Sequence, residues 1–193
     1  MALDITTSPA EARLTPVPRQ HAAAFCFLLL VAACALASFA FACATPFAAF
    51  AVIAAAMLPL RSALAAVVGA WLVNQGIGFG ALHYPVDANT LAWGVAIGVA
   101  ALAATFVARV VLQRSRALPL PAALPLMLLA AYATYELALL AVTPVLGGAG
   151  SFTLAIVARL GLTSAAWLVG LVAVCEIVRL LAPFKSNRAL IQK

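Results

Sequence analysis

Residues 22–44 run for 23 positions without one charged side chain. Five more predominantly apolar runs follow, at 46–60, 62–82, 90–112, 120–142 and 151–181. A membrane-spanning helix needs about 20 apolar residues to cross a hydrocarbon core of ~30 Å. The second run has only 15 residues, so the sequence predicts a little-tilted helix or a locally thinned bilayer there. The last run has 31 and is expected to project at one end. Between the runs lie helix-breaking and polar punctuation: Pro59 with Arg61, "HYPVDAN", "QRSR", Pro144 with "GGAG", and Pro183. The runs are too long and unbroken for the ~10-residue alternating strands of an outer-membrane barrel. The fold expected is all-α and polytopic, with six transmembrane helices in one domain.

Composition agrees. The chain is 67% hydrophobic and 8% charged, with a mean hydropathy of +1.17, whereas a soluble domain is nearer half apolar and a quarter charged. This excludes a soluble enzyme, a nucleic-acid module and a disordered chain. The expected membrane domain is 22–182, between an N-terminal tail at 1–21 and a basic C-terminal tail at 183–193. The first run ends in small residues, "ACA", but it is longer than the ~7–15 residues of a signal-peptide core. It is read as the first transmembrane helix.

The net charge of +6 acquires meaning from its placement. With the N-terminus inside, the inner segments hold Arg13, Arg19, Arg61, Arg109, Arg114, Arg116, Arg179, Lys185, Arg188 and Lys193, and the outer loops hold no Lys or Arg. The positive-inside rule then places both termini in the cytoplasm. The basic ends read as contacts for anionic lipid, not for nucleic acid. Cys26, Cys34, Cys43 and Cys175 sit in apolar runs without a CxxC pair, and read as packing residues.

Polar residues inside the runs carry the remaining information, because they are costly there. On a rise of 1.5 Å per residue, Asn74 lies ~12 Å, Glu136 ~9 Å and Arg159 ~12 Å from the outer face. Glu136 and Arg159 are expected to pair, since an opposite charge is the cheapest partner for a buried one. Tyr132, Tyr135 and Glu136 share adjacent faces of helix five by i, i+3, i+4 spacing. Ala155, Arg159, Thr163 and Trp167 form a stripe on helix six, and Trp167 sits too near mid-helix to be an interfacial belt residue.

The densest polar stretch is 74–89, "NQGIGFGALHYPVDAN". Its three alternate glycines weaken a helix and permit close approach of a ligand or another backbone. Asn74, Gln75, Phe79, His83, Tyr84 and Asp87 are candidate substrate contacts, together with Tyr132, Tyr135, Glu136 and Arg159. His83 is the candidate metal donor, although a single imidazole is too few for a zinc or nickel site without other donors. Motifs for a nucleotide motor, GxxxxGK[ST], and for hydrolases, HExxH and GxSxG, do not occur.

A six-helix protein of this size, with both ends inside and polar groups gathered in the outer half, resembles the substrate-binding S-components of energy-coupling-factor (ECF) vitamin transporters. The stretch 73–85, "VNQGIGFGALHYP", is similar to the third helix and following loop of the cobalamin-specific S-components of proteobacteria. The resemblance implies no resident cofactor, cobalamin or another corrinoid as the transported ligand, and no enzymatic activity. It implies an ECF coupling subunit and ATPases as partners, besides the solute and the bilayer. It also implies that the small-residue face of the first helix, Ala33, Ala37, Ala40 and Ala44, meets the coupling subunit. Some cobalamin S-components offer a cysteine to cobalt near this stretch. Phe79 and Gly80 stand here instead, and His83 is the remaining donor. Two alternatives stay open: a cobalt or related metal permease, and an intramembrane enzyme using Cys, His and Arg.

Overall fold

A computed structural model describes residues 14–41 and 45–191, with side chains to 181. Among the described residues six helices of more than one turn follow in order: α1 (Arg19–Phe41), α2 (Phe47–Met57), α3 (Leu60–Gly76), α4 (Ala88–Arg114), α5 (Leu120–Leu146) and α6 (Leu154–Ile191). A π-helical turn, Ile77–Ala81, prolongs α3, and a 3-10 turn, Ala149–Ser151, precedes α6. No strand occurs among the described residues. Among the described residues five helices, all but α2, are long and apolar enough to cross a membrane. The protein is thus an all-helical, multi-pass membrane protein.

The exception organises the bundle. α2 has 11 residues, FAAFAVIAAAM, a rise of only about 16 Å, roughly half of a ~30 Å hydrocarbon core. Every one of its residues is buried, none more than 3% exposed. α3, α4, α5 and α6 all pack on it, and α1 touches it. The short run therefore requires neither a thin bilayer nor an upright span facing lipid. It is a central plug, and an all-round apolar helix is the pattern of one buried on every side. Its six alanines allow that close packing. Lipid is as apolar as the core, so the packing is held by dispersion and interhelical hydrogen bonds more than by hydrophobic transfer.

Its C-terminal end is sealed. Arg109 of α4 donates from Nη1 to the carbonyls of Ala55 (3.1 Å) and Leu58 (3.3 Å). Those are among the carbonyls a helix C-terminus leaves without intrahelical partners, and a cation there also complements the helix dipole. Arg109 thus has a structural task beyond the topology signal read from sequence.

Two devices lock α3. Gly94 and Gly98, a GxxxG pair on α4, make room for its side chains. A Cβ at Gly98 would lie 2.8 Å from the Trp71 ring, and one at Gly94 would collide with the Gln75 amide. Trp71 Nε1 also donates to the Gly94 carbonyl at 2.8 Å. On the other flank, Cys34 Sγ donates to the Ala70 carbonyl at 3.0 Å. Ala33 and Ala37 are buried on the same face of α1, which the bundle itself covers. Two of the four alanines expected to meet a coupling subunit are therefore spent internally. Ala40 is exposed, and Ala44 lies outside the described residues, as does Cys43. Cys26, Cys34 and Cys175 are buried and free.

α6 begins at Leu154 and continues past Pro183 to Ile191, so the expected break at 183 is not a helix end. A proline removes a single donor, and the helix-forming residues after it, such as Arg188, Ala189 and Leu190, carry the helix on. At 38 residues, α6 exceeds the bilayer, as its long apolar run implies. Trp167, in its middle, packs edge-on against Phe41 and Phe50 with ring centroids 6.5 and 6.2 Å apart. It is half-buried and packs against the core, which explains its distance from any interfacial belt.

Candidate functional site

The N-terminal end of α2 is unlike its sealed C-terminus. Beyond Phe47 the bundle axis is not filled by helix, and a cavity of about 370 Å³ opens there. Thr45, Pro46, Phe47 and Ala48 line it from the start of α2, Trp93 and Ile97 from α4, and Tyr132, Tyr135, Glu136 and Leu139 from α5. The 148–152 loop and the first turns of α6, through Ser164, complete it. A half-length central helix thus creates the space, and the longer helices around it supply the walls. The volume falls in the lower part of the ~300–1,000 Å³ range of small-molecule sites.

The aromatic walls are held by their neighbours. Phe47 and Tyr135 pack with ring centroids 6.3 Å apart, and Phe47 also meets Phe50 edge-on at 5.8 Å. Tyr132 donates from its hydroxyl to the Val157 carbonyl at 2.5 Å. Its ring lies over Gly161, where a Cβ would come within 3.1 Å. Trp93 leans toward Gly148, a residue with φ of +81°. Glu136 is the single lining residue with an ordinarily charged side chain.

The 74–89 stretch builds a separate, smaller groove of about 90 Å³, which Asn74, Gln75, Phe79 and Tyr84 line. Trp93 and Ile97 belong to the walls of both spaces. Asn74 is occupied within the fold: its amide nitrogen donates to Ser38 Oγ (2.9 Å) and Thr45 Oγ1 (3.0 Å), and its oxygen accepts from Gln75 Nε2 (3.1 Å). It ties α1, the start of α2 and α3 together. Of the three glycines, Gly78 is closely approached, by the Tyr84 ring at 2.8 Å from a notional Cβ, while Gly76 and Gly80 face open space. The approach that the glycines permit is therefore by the chain's own aromatic ring.

Three expected contacts line neither space. His83 is exposed in the loop with φ of +55°, a left-handed turn residue of the kind His tolerates better than most. Asp87 caps α4, its Oδ1 accepting from the Thr90 amide at 2.7 Å, which holds its carboxyl below the ordinary carboxylate range. Arg159 is exposed on the outside of α6. Because α6 starts at Leu154 and not at 151, Arg159 is about 7.5 Å from the helix end by rise, within reach of a headgroup by snorkelling. The expected Glu136–Arg159 pair does not form: among the described residues the ion pair is Arg179–Glu176, at 3.1 Å. No cluster of three or more His, Cys, Asp or Glu side chains suited to a metal ion occurs among the described residues.

Sequence reasoning thus found Tyr132, Tyr135 and Glu136, which share one helix and one spacing. It missed Phe47, Trp93, Phe152 and Ser164, which come from four separate places in the chain and look like ordinary apolar or small residues. The available signal was the brevity of the second run, which leaves space on the bundle axis. Comparison with protein-family models, with curated proteins and with solved structures finds no match to this chain.

Proposed function

We propose that the protein is a substrate-binding membrane subunit for uptake of a vitamin-like solute, with the cavity beyond α2 as its site. One observation carries the reading: an aromatic-walled space of about 370 Å³ holding a single carboxylate, Glu136, where a membrane bundle would otherwise be packed solid. Solute sites are mostly apolar with a few placed polar groups, and intramembrane ionisable residues that face a cavity mark substrate paths. In this reading the cavity faces outward from a bacterial inner membrane, as the charge distribution of the loops suggests. A coupling subunit and ATPases supplied by the host provide the energy, since the chain carries no nucleotide-binding motif.

A compact solute suits the cavity volume best. A corrinoid is the second reading, favoured by the resemblance of residues 73–85, which form a groove sharing Trp93 and Ile97 with the main cavity. A corrin ring is broader than either space and would have to lie across both, with the rest of the molecule over the loops. Titrating the purified chain in lipid nanodiscs with cobalamin and with riboflavin, a flat and smaller solute, separates these. Saturable riboflavin binding alone supports the compact site, and cobalamin binding with growth of an importer-deficient bacterium on low cobalamin supports the corrinoid. A folded protein that binds no solute would overturn both.

A further inference from the structure

We propose that the cavity beyond α2 selects a small organic cation, with Glu136 as counter-charge and the aromatic walls as its seat. This inference rests on the reading of that cavity as a solute site. Its charge balance is the first argument. Glu136 lines the space, and no Lys, Arg or His does. The nearest expected neutraliser, Arg159, is exposed on the outer surface of α6, and Glu136 makes no ion pair among the described residues. A carboxylate placed in a mostly apolar space without a protein cation is poised for a cation brought by the ligand.

The walls supply the second argument. Phe47, Trp93, Tyr132, Tyr135 and Phe152 all line the cavity. Cations are attracted to aromatic faces within about 6 Å, most strongly when desolvated, and aromatic cages are a recurring solution for quaternary ammonium groups. Three of these rings are already fixed: Phe47 against Tyr135, and Tyr132 through its bond to Val157. Little ordering of the walls is then needed on binding. A strongly hydrated metal ion would find a single carboxylate here beside the neutral hydroxyls of Thr45, Tyr132, Tyr135, Ser151 and Ser164, whereas a weakly hydrated alkylammonium or pyridinium needs no oxygen beyond the carboxylate.

The start of α2 also borders the cavity, and a helix N-terminus favours anions. That preference is weak here. Pro46 has no N–H, and the amides of Phe47, Ala49 and Phe50 already donate to the carbonyls of Thr45 and Pro46. The half-charge of such a terminus is also smaller than the full charge of Glu136.

The test uses the full chain in nanodiscs of uncharged lipid, titrated with choline, tetraethylammonium and N-methylpyridinium, and with the neutral carbon isostere of choline. Binding is read by calorimetry. At least one cation is expected to bind saturably, and its neutral counterpart at least ~tenfold more weakly. Glu136→Gln should lower cation affinity by a similar factor while Glu136→Asp retains most of it, with unchanged helix content in both. Equal binding of the neutral isostere, an unaffected Glu136→Gln, or no binding by any cation of the panel overturns the inference. If riboflavin or cobalamin binds and the cations do not, the solute site stands and the choice of ligand charge falls. If no solute of any kind binds, both fall.

Discussion

At Met57 the last turn of α2 meets a guanidinium, and at Phe47 its first turn meets an open cavity. The same eleven-residue helix is thus finished in opposite ways. Backbone groups in a bilayer must be satisfied from within the protein, and at the C-terminal end Arg109 does so by donating to two carbonyls. At the N-terminal end the local turn satisfies most of the amides itself, so no side chain is needed to close it. A charged side chain is present there all the same, Glu136, and it is given to the cavity. One intramembrane charge caps backbone carbonyls and the other lines a cavity, where in the reading proposed above it meets a ligand.

The largest effect should come from the plug itself. Phe50 is fully buried between Phe47 and Trp167, and Phe50→Ala should destabilise by about 3–5 kcal/mol through lost contacts and an unfilled hole. Thermal unfolding in detergent micelles reads this directly. Next comes the sealed end. Arg109→Met keeps the stem but leaves the Ala55 and Leu58 carbonyls without their donor, at about 1.5–3 kcal/mol. If this variant proved neutral, the contrast between the two ends would lose its structural half.

How much of this was legible in sequence depends on the kind of signal. The helices follow the runs closely: α1 covers Arg19–Phe41 against 22–44, and α5 begins at Leu120 as expected. Length, proline and charge punctuation fix these ends, and they act locally. That α2 is a central plug was not read, because an apolar 15-mer looks alike as a short span or as a buried helix until its all-round apolarity is weighed. Tyr132, Tyr135 and Glu136 were legible as one helix face. Arg159 was misplaced because its depth was counted from 151 and not from the true start at Leu154, and because depth along a helix does not say which face a residue occupies. The Gly94–Gly98 pair carries no sequence signal that sets it apart from the small residues four apart on α1, which are common in so alanine-rich a chain.

At the open end, smaller stability effects should accompany larger effects on binding. Gly148 has φ of +81°, so Gly148→Ala should cost about 1–2 kcal/mol from left-handed backbone strain. It also brings a Cβ to 3.4 Å from Trp93, and solute affinity should change with it. A stability loss without any change in affinity would detach Trp93 from the site. The smallest effect is at the loop. The Thr90 amide lowers the Asp87 carboxyl below its ordinary value, near ~3.9 when unfolded. The folded chain then binds the proton less readily than the unfolded one, so the cap stabilises above that value and is lost as pH falls through the lowered folded value. Asp87→Asn should remove this acid dependence and leave the cavity end otherwise intact. An unaltered acid profile would assign the loss to other groups.

The most direct test fills the cavity. Ser164 of α6 is buried and lines it, so Ser164→Phe places a ring in the space a solute would occupy. Equilibrium binding of riboflavin, cobalamin and choline to the wild type and to Ser164→Phe in nanodiscs, with unfolding midpoints measured alongside, provides the comparison. The account predicts that whichever solute the wild type binds is lost from the variant, at an unfolding midpoint close to that of the wild type. Undiminished binding to the filled variant would place the solute elsewhere and contradict the assignment of the open end of α2 as the site.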